Sequence, residues 1–249
     1  MSTVTSAPEW TGWGVSRVGP GHRRNGLPNQ DAWLLRCMPW GELAVVADGL
    51  GSRAMSHQGA RAACRAALQA ATAHCCTPGN VAAQPLLAAL HAAWLENLWP
   101  HAVRECATTC VLALRSGPLL LLAQLGDGMA VACGPPGKAS FLLHAGVTDF
   151  ANVTECLHER HAPEAWRVAS LEAADFGGVV LCTDGIAADL VAGSETAFAA
   201  GLLAAGHGSS ARTQRREARR WLQDWPVAGH TDDKTIVCMM APEGTENVR

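Results

Sequence analysis

Three times in 249 residues an apolar, strand-like run ends in Asp followed by Gly. The runs end in Asp48-Gly49, Asp127-Gly128 and Asp184-Gly185. A fourth acidic point comes in the opposite order, because Asp232-Asp233-Lys234 precedes the apolar run Thr235–Met240. In an antiparallel sheet a strand begins at the edge where its neighbours end. All four points can therefore converge on one edge. Asp-Gly alone is a common turn dipeptide, but turn chemistry does not demand an acid at every edge. Clustered carboxylates repel one another unless a cation compensates them. Hard oxygen ligands suit magnesium or manganese. The glycine after each acid lets the chain turn sharply and lets a carbonyl approach an ion or its water. Too few histidines stand in matching positions to favour zinc.

The elements that must hold these acids follow from periodicity. Strand-like segments are Gly12–Val18, Ala32–Cys37, Leu43–Ala47, Thr108–Leu114, Leu119–Leu125, Met129–Cys133, Ser140–Leu143, Val179–Thr183 and Thr235–Met240. Helix-like segments are Ser56–His74, Gln84–Leu98, Glu195–Ala205 and Ala211–Gln223. In the first of these Ala60, Ala63, Cys64, Ala67, Leu68 and Ala71 form the apolar face; in the second it is Leu86, Leu90, Ala93, Trp94 and Leu98. Three strands, two helices, a strand meander, late helices and a last strand make an α+β chain with sheets stacked under helices. The order is not that of a doubly wound fold.

Composition narrows the function classes. Hydrophobic residues are 49% and charged residues 16%, so a packed core is expected and global disorder is excluded. The formal net charge of −3 marks no general nucleic-acid binder. No apolar run approaches the ~20 residues of a membrane span, and no secretory signal is visible, so a cytoplasmic protein is expected. The ten cysteines include no Cys-x-x-Cys and fall mostly in apolar segments (Cys64, Cys110, Cys133, Cys182, Cys238). They read as reduced core thiols. No repeat or long linker is present, so one domain over residues 1–249 is expected, with 1–9 and 242–249 flexible.

The acidic points lie in motifs that resemble, in order, those of the metal-dependent type 2C protein phosphatases. Asn29-Gln30-Asp31-Ala32 resembles the first acidic motif and Val46-Ala47-Asp48-Gly49-Leu50-Gly51 the second. Ala107-Thr108-Thr109 and Gly126-Asp127-Gly128 follow, then Cys182-Thr183-Asp184-Gly185 and Asp232-Asp233-Lys234-Thr235. Each motif alone is weak; six in family order are specific, and they span most of the chain. The resemblance, to compact bacterial members, implies a four-layer α-β-β-α sandwich with two central antiparallel sheets and metals between them. It implies two Mn2+ or Mg2+ ions, with room for the third, weaker one that some bacterial members carry. Asp48 would bridge the two ions, Asp184 and Asp232 would complete the first site, and the Gly49 carbonyl would serve the second. Asp31 would lie near the second ion or hold its waters, and Asp127 with Asp184 would take the third. The implied reaction is in-line attack of a metal-activated water on phosphorus, without a phosphoenzyme.

The sequence also departs from the family. The phosphate-binding arginine usually lies five residues before the first-motif Asp, where this chain has Gly26. Arg24 is the preferred clamp, since a guanidinium fork suits two phosphoryl oxygens; Arg23 and His22 stand beside it. Leu50 occupies the place of the histidine proposed as general acid in animal members. The leaving group then takes its proton from a metal-bound water or from another group such as His22. Gln30 replaces a frequent Glu. Ala188 stands where a third-metal Asp is often found, with Asp189 one residue on. The segment from Gly146 to Pro163, with Asp149 and His158, sits at the family's flap. Arg212, Arg215, Arg216, Arg219 and Arg220 make a basic helical face, read most simply as a solvated face paired with Glu217. His57, His74 and His91 read as surface or cap residues.

The resulting expectation is a metal-dependent phosphoprotein phosphatase acting on phosphoserine and phosphothreonine and opposing a bacterial Ser/Thr kinase. Its partners are a phosphoprotein substrate and that kinase, with no nucleic acid and no membrane, and the protein is a monomer. Leu50, Gln30 and the displaced arginine motivate an alternative: a weak or inactive pseudophosphatase that binds a partner. A phosphatase of small molecules or of phosphohistidine would share the same metal chemistry.

Overall fold

The computed structural model describes residues 10–135, 138–143, 155–161, 163–206 and 208–242. In chain order the elements are β1 (Thr11–Arg17), α1 (Pro20–Arg24), β2 (Asp31–Met38), β3 (Gly41–Asp48), α2 (Ser56–His74), α3 (Ala83–Asn97), β4 (Cys110–Ser116) and β5 (Leu119–Leu125). They continue with β6 (Met129–Cys133), β7 (Phe141–Leu143), β8 (Arg167–Glu172), β9 (Gly178–Cys182), α4 (Asp184–Ala187), α5 (Glu195–Gly206), α6 (Ala211–Gln223) and β10 (Lys234–Met240).

Two antiparallel sheets form, in the orders β1-β10-β9-β6-β7 and β2-β3-β4-β5-β8. Alternation along each strand explains why they stack. In β3, Leu43, Val45 and Ala47 face α2 and α3, while Ala44 and Val46 face the other sheet. In β9, Val179 and Leu181 enter that same inter-sheet layer, while Val180 and Cys182 join α5 and α6. Strands buried on both faces read as continuous apolar runs, and the side-chain period of 2 sorts their residues into three cores. The two sheets thus lie between α2–α3 on one side and α5–α6 on the other, as a four-layer α+β sandwich.

The ends of α2 and α6 fall where the periodicity puts them, and the predicted small-residue face of α2 is buried from Ala60 to Ala71. Three elements escape the sequence. β8 is a partly exposed edge strand of mixed polarity that pairs only with β5. The helices α1 and α4 are too short, at five and four residues, to show a periodic face. Among the described residues no cysteine forms a disulfide; burial pushes the Cys64 thiol up to about 12, which suits inert core packing. Among the described residues no helix is long and apolar enough to cross a membrane. Residues 1–9 and 243–249, and with them most of the two expected flexible ends, lie outside the described residues.

Candidate active site

The acids meet at one end of the sandwich, drawn from both sheets. Asp48 closes β3, and Asp31 opens β2 directly opposite it as its cross-strand partner. Asp184 follows β9, Asp232 precedes β10, and Asp127 sits where the chain crosses from β5 in one sheet to β6 in the other. The expectation of one shared edge therefore takes a two-sheet form, in which the strand ends surround an opening. That opening is a cleft of ≈ 520 Å³ lined by, among others, Asp48, Gly49, Asp127, Asp184, Asp232, His22 and Arg24.

Hydroxyl and amide contacts set each acid in place. Thr109 donates its N–H to the Asp48 carbonyl at 2.7 Å and accepts the Asp48 N–H on Oγ1 at 3.0 Å. Thr108 Oγ1 also donates to the Asp48 carbonyl, at 2.8 Å. The Ala107-Thr108-Thr109 motif is thus the brace of Asp48. Thr183 Oγ1 donates to Asp31 Oδ2 at 2.9 Å and accepts the Thr235 N–H at 3.1 Å, which ties the two sheets together beside the acids. Gln124 Nε2 donates to the carbonyls of Gly126 and Gly128, fixing the loop that carries Asp127. Gly185 is required by close approach: a Cβ there would collide with the Asp233 carbonyl oxygen.

Asp233 is the residue whose role the sequence hides. It is 1% exposed. Its Oδ1 accepts the Gly19 N–H and its Oδ2 the Gln30 N–H, each at 2.6 Å, while His22 Nδ1 lies 2.9 Å from Oδ2. One carboxylate thereby fastens both ends of the segment from Gly19 to Gln30, which includes α1 and Arg24. Its adjacency to Asp232 offered no signal of this, because the contacts span more than 200 residues.

Of the two arginines, Arg24 reaches the cleft, whereas Arg23 sends Nη2 back to the Val18 carbonyl at 3.3 Å. Asp189 is engaged elsewhere, against Lys234 Nζ at 3.3 Å and the Trp225 indole N–H at 2.7 Å. Leu50 lines the cleft, with no titratable group at that position. Asp149 of the expected flap lies outside the described residues. Leu157, within the same segment, is buried and pairs with Thr108, next to the Asp48 brace. His91 departs from the surface reading: its Nε2 donates to the His158 carbonyl at 2.9 Å and its ring packs on His161 at 4.2 Å.

The electrostatics of the ring are unfavourable as the protein alone presents them. Burial, opposed in part by hydrogen bonds, pushes the Asp31 carboxyl up to about 7. Burial first, and then the charges of Asp31 and Asp184, pushes Asp48 well above the carboxylate range. Asp184 is raised by burial and by the nearby Asp127 and Asp232. Two buried carboxylate oxygens, Asp31 Oδ1 and Asp184 Oδ1, have no hydrogen-bond partner. An oxygen-only donor set with orphaned carboxylate atoms fits a hard divalent cation, whose charge reverses each of these shifts. Among the described residues no three His, Cys, Asp or Glu close on one point as a finished coordination sphere. An open ring of this kind suits Mg2+ or Mn2+, which keep several waters.

The model of the family described as protein phosphatase 2C matches residues 18–225. The chain belongs to the protein phosphatase 2C family. The matched span begins just before α1 and reaches past α6, so it takes in the segment pinned by Asp233 and all of the ring but Asp232. Solved structures agree on the fold. A regulatory component of the type VI secretion system in Pseudomonas aeruginosa, PppA, is 18% identical, with 95% of this chain and 99% of that one covered at a TM-score of 0.65. The serine/threonine phosphatase Stp1 from Staphylococcus aureus is 14% identical, with 98% and 100% covered at a TM-score of 0.64. The catalytic domain of the serine/threonine phosphatase PstP, solved with two manganese ions, is 18% identical, with 93% and 97% covered at a TM-score of 0.61. No curated protein matches the sequence. The class expected from the sequence, a serine/threonine protein phosphatase and hence a hydrolase, is the class of this family.

Proposed function

We propose that the protein is a metal-dependent phosphatase of phosphoserine and phosphothreonine in proteins, opposing a Ser/Thr kinase, with the whole chain acting as one catalytic domain. The observation that carries this reading is the like-charge group of Asp31, Asp48 and Asp184, the last two lining a cleft that also presents Arg24. Asp48, Asp184, Asp232 and the Gly49 carbonyl would hold two Mn2+ or Mg2+ ions, with Asp31 beside the second and Asp127 with Asp184 at a third. Bound there, the ions supply an activated water nucleophile and neutralise charge on the phosphoryl oxygens.

The remaining steps belong to the chain. Arg24 forks onto the phosphoryl oxygens and orients the group for in-line attack. Thr108 and Thr109 keep the Asp48 backbone from moving as charge shifts. With Leu50 unable to carry a proton, His22 gives one to the leaving serine or threonine oxygen. Its Nδ1 lies 2.9 Å from Asp233 Oδ2, which leaves Nε2 for that transfer.

The test is hydrolysis of para-nitrophenyl phosphate and of a phosphothreonine peptide, first with EDTA and then with added Mn2+, for wild type and Asp184→Ala. The expected result is manganese-dependent turnover that the variant lacks. A folded wild type inactive on both substrates, with either Mn2+ or Mg2+, contradicts the reading and leaves a partner-binding module.

A further inference from the structure

Helix α6 carries a charge pattern that the fold does not use. Its buried line is Gln214, Ala218 and Leu222. At 100° per residue, Arg215, Arg219, Arg212, Arg216 and Arg220 follow one another from the flank beside this line round to the opposite face, and all five are exposed. Glu217 lies outside this stripe, and among the described residues none of the five arginines has an ion pair, with Glu217 or with any other acid. The solvated face expected from the sequence is there, but among the described residues the expected pairing with Glu217 is not.

The arrangement costs the helix stability. Arg212, Arg216 and Arg220 repel at i,i+4 spacing, as do Arg215 and Arg219. Arg212 also stands in the first turn, where the helix dipole disfavours a cation. Arg215 packs its guanidinium 5.2 Å from the Trp33 ring on β2. Arg212, Thr213, Arg215, Arg216 and Arg219 line a groove of ≈ 520 Å³. This concentration of positive charge belongs to a chain whose net charge is −3.

The C-terminal end of α6 meets the strand that leads into the cleft-lining segment. At the far end of α6, Gln223 Oε1 accepts from Arg17 Nη2 at 3.1 Å, at the close of β1. Two residues on from Arg17, Gly19 starts the segment that presents His22 and Arg24. From Arg212 to Arg220 the stripe runs ~12 Å along the helix axis, the reach of about four extended residues.

We propose that the α6 arginine stripe is a docking surface for an acidic segment of the phosphoprotein substrate, lying outside the phosphorylated residue itself. Carboxylates of that segment would pair with Arg212, Arg216, Arg219 and Arg220, relieving the repulsion within the helix and raising the local concentration of substrate at the cleft. The identity of the occupant as substrate rests on the phosphatase reading; the charge of the occupant does not.

Two readouts separate these. Fluorescence anisotropy of a labelled, unphosphorylated Glu/Asp-rich dodecapeptide is measured on wild type, Arg216→Glu/Arg219→Glu and Arg216→Ser/Arg219→Ser. Binding is expected to weaken about tenfold in the reversal variant, less in the serine variant, and to fade with added salt. In parallel, kcat/KM is compared for a phosphothreonine peptide with and without an acidic extension. The extension should help wild type most, the serine variant less and the reversal variant least, and turnover of para-nitrophenyl phosphate should be the same in all three proteins. Absence of any turnover with retained, stripe-dependent peptide binding would sink the phosphatase reading and leave the docking surface standing. Acidic-peptide binding unchanged by both variants, or no such binding while a DNA duplex binds, would overturn the proposal.

Discussion

Strand β3 has an acid near each end, and each stands directly opposite a charged residue on the neighbouring strand. Glu42 faces Arg115 on β4, whereas Asp48 faces Asp31 on β2. At the first end everything is paired. Arg115 donates both Nε and Nη2 to Glu42, the second at 2.8 Å, Glu42 Oε1 also accepts the Trp10 N–H at 2.9 Å, and the guanidinium lies over the Trp10 ring. At the other end carboxylate meets carboxylate, burial raises both, and an oxygen of Asp31 has no partner. One chain therefore neutralises buried charge completely where only structure is at stake. It leaves charge uncompensated where a cation from solution is to be held.

The sharpest break of this contrast is Asp48→Asn. It should lower kcat at least about 10³-fold, on the order of 4 kcal/mol of transition-state stabilisation. The same change should raise the stability of chelator-treated protein by about 1 kcal/mol, because it removes a like-charge cross-strand pair. Phosphopeptide kinetics and thermal melts in EDTA check the two halves. At the paired end the sign reverses: Glu42→Ala should cost about 3–5 kcal/mol by stranding a buried guanidinium. Joint replacement of Glu42 and Arg115 by apolar residues should recover most of that loss, as read by urea unfolding.

Smaller effects grade the site end itself. Thr183→Val takes a hydrogen bond from Asp31 and an acceptor from the Thr235 N–H, and should cost about 1–3 kcal/mol with reduced metal affinity. Calorimetric titration with Mn2+ and a denaturation curve measure both. Arg24→Ala should raise KM for a phosphothreonine peptide about tenfold, the worth of one charge-assisted hydrogen bond. Arg23→Ala should change it less than about twofold, as expected of an exposed side chain turned to the Val18 carbonyl. Equal effects of the two substitutions would erase the distinction between them.

What the sequence carried, and what it did not, follows the range of the interactions. Asp48, Asp127 and Asp184 were visible because each ends an apolar run and precedes a glycine, a purely local pattern. The two-sheet layering was visible in the order of strands and helices. The anchoring role of Asp233 was not, since its partners lie some 200 residues away and its type differs in no way from its neighbour Asp232. The threonine braces of Asp48 and Asp31 are likewise long-range. β8 was missed because an edge strand half-exposed on both faces loses its alternation. Arg24 was preferred to Arg23 as the clamp from the sequence; what parts them in the structure is the turn of α1, which brings Arg24 to the cleft and sends Arg23 to the Val18 carbonyl.

The most direct test of the contrast is Mn2+ binding followed by titration calorimetry on wild type, Asp184→Asn and the apolar double variant at Glu42 and Arg115. The account predicts saturable binding to wild type, loss or strong weakening in Asp184→Asn, and binding at wild-type affinity in the double variant. Wild-type protein that takes up no Mn2+, or an Asp184→Asn variant that binds it as wild type does, would contradict the claim that the acidic end of the sandwich exists to hold a cation.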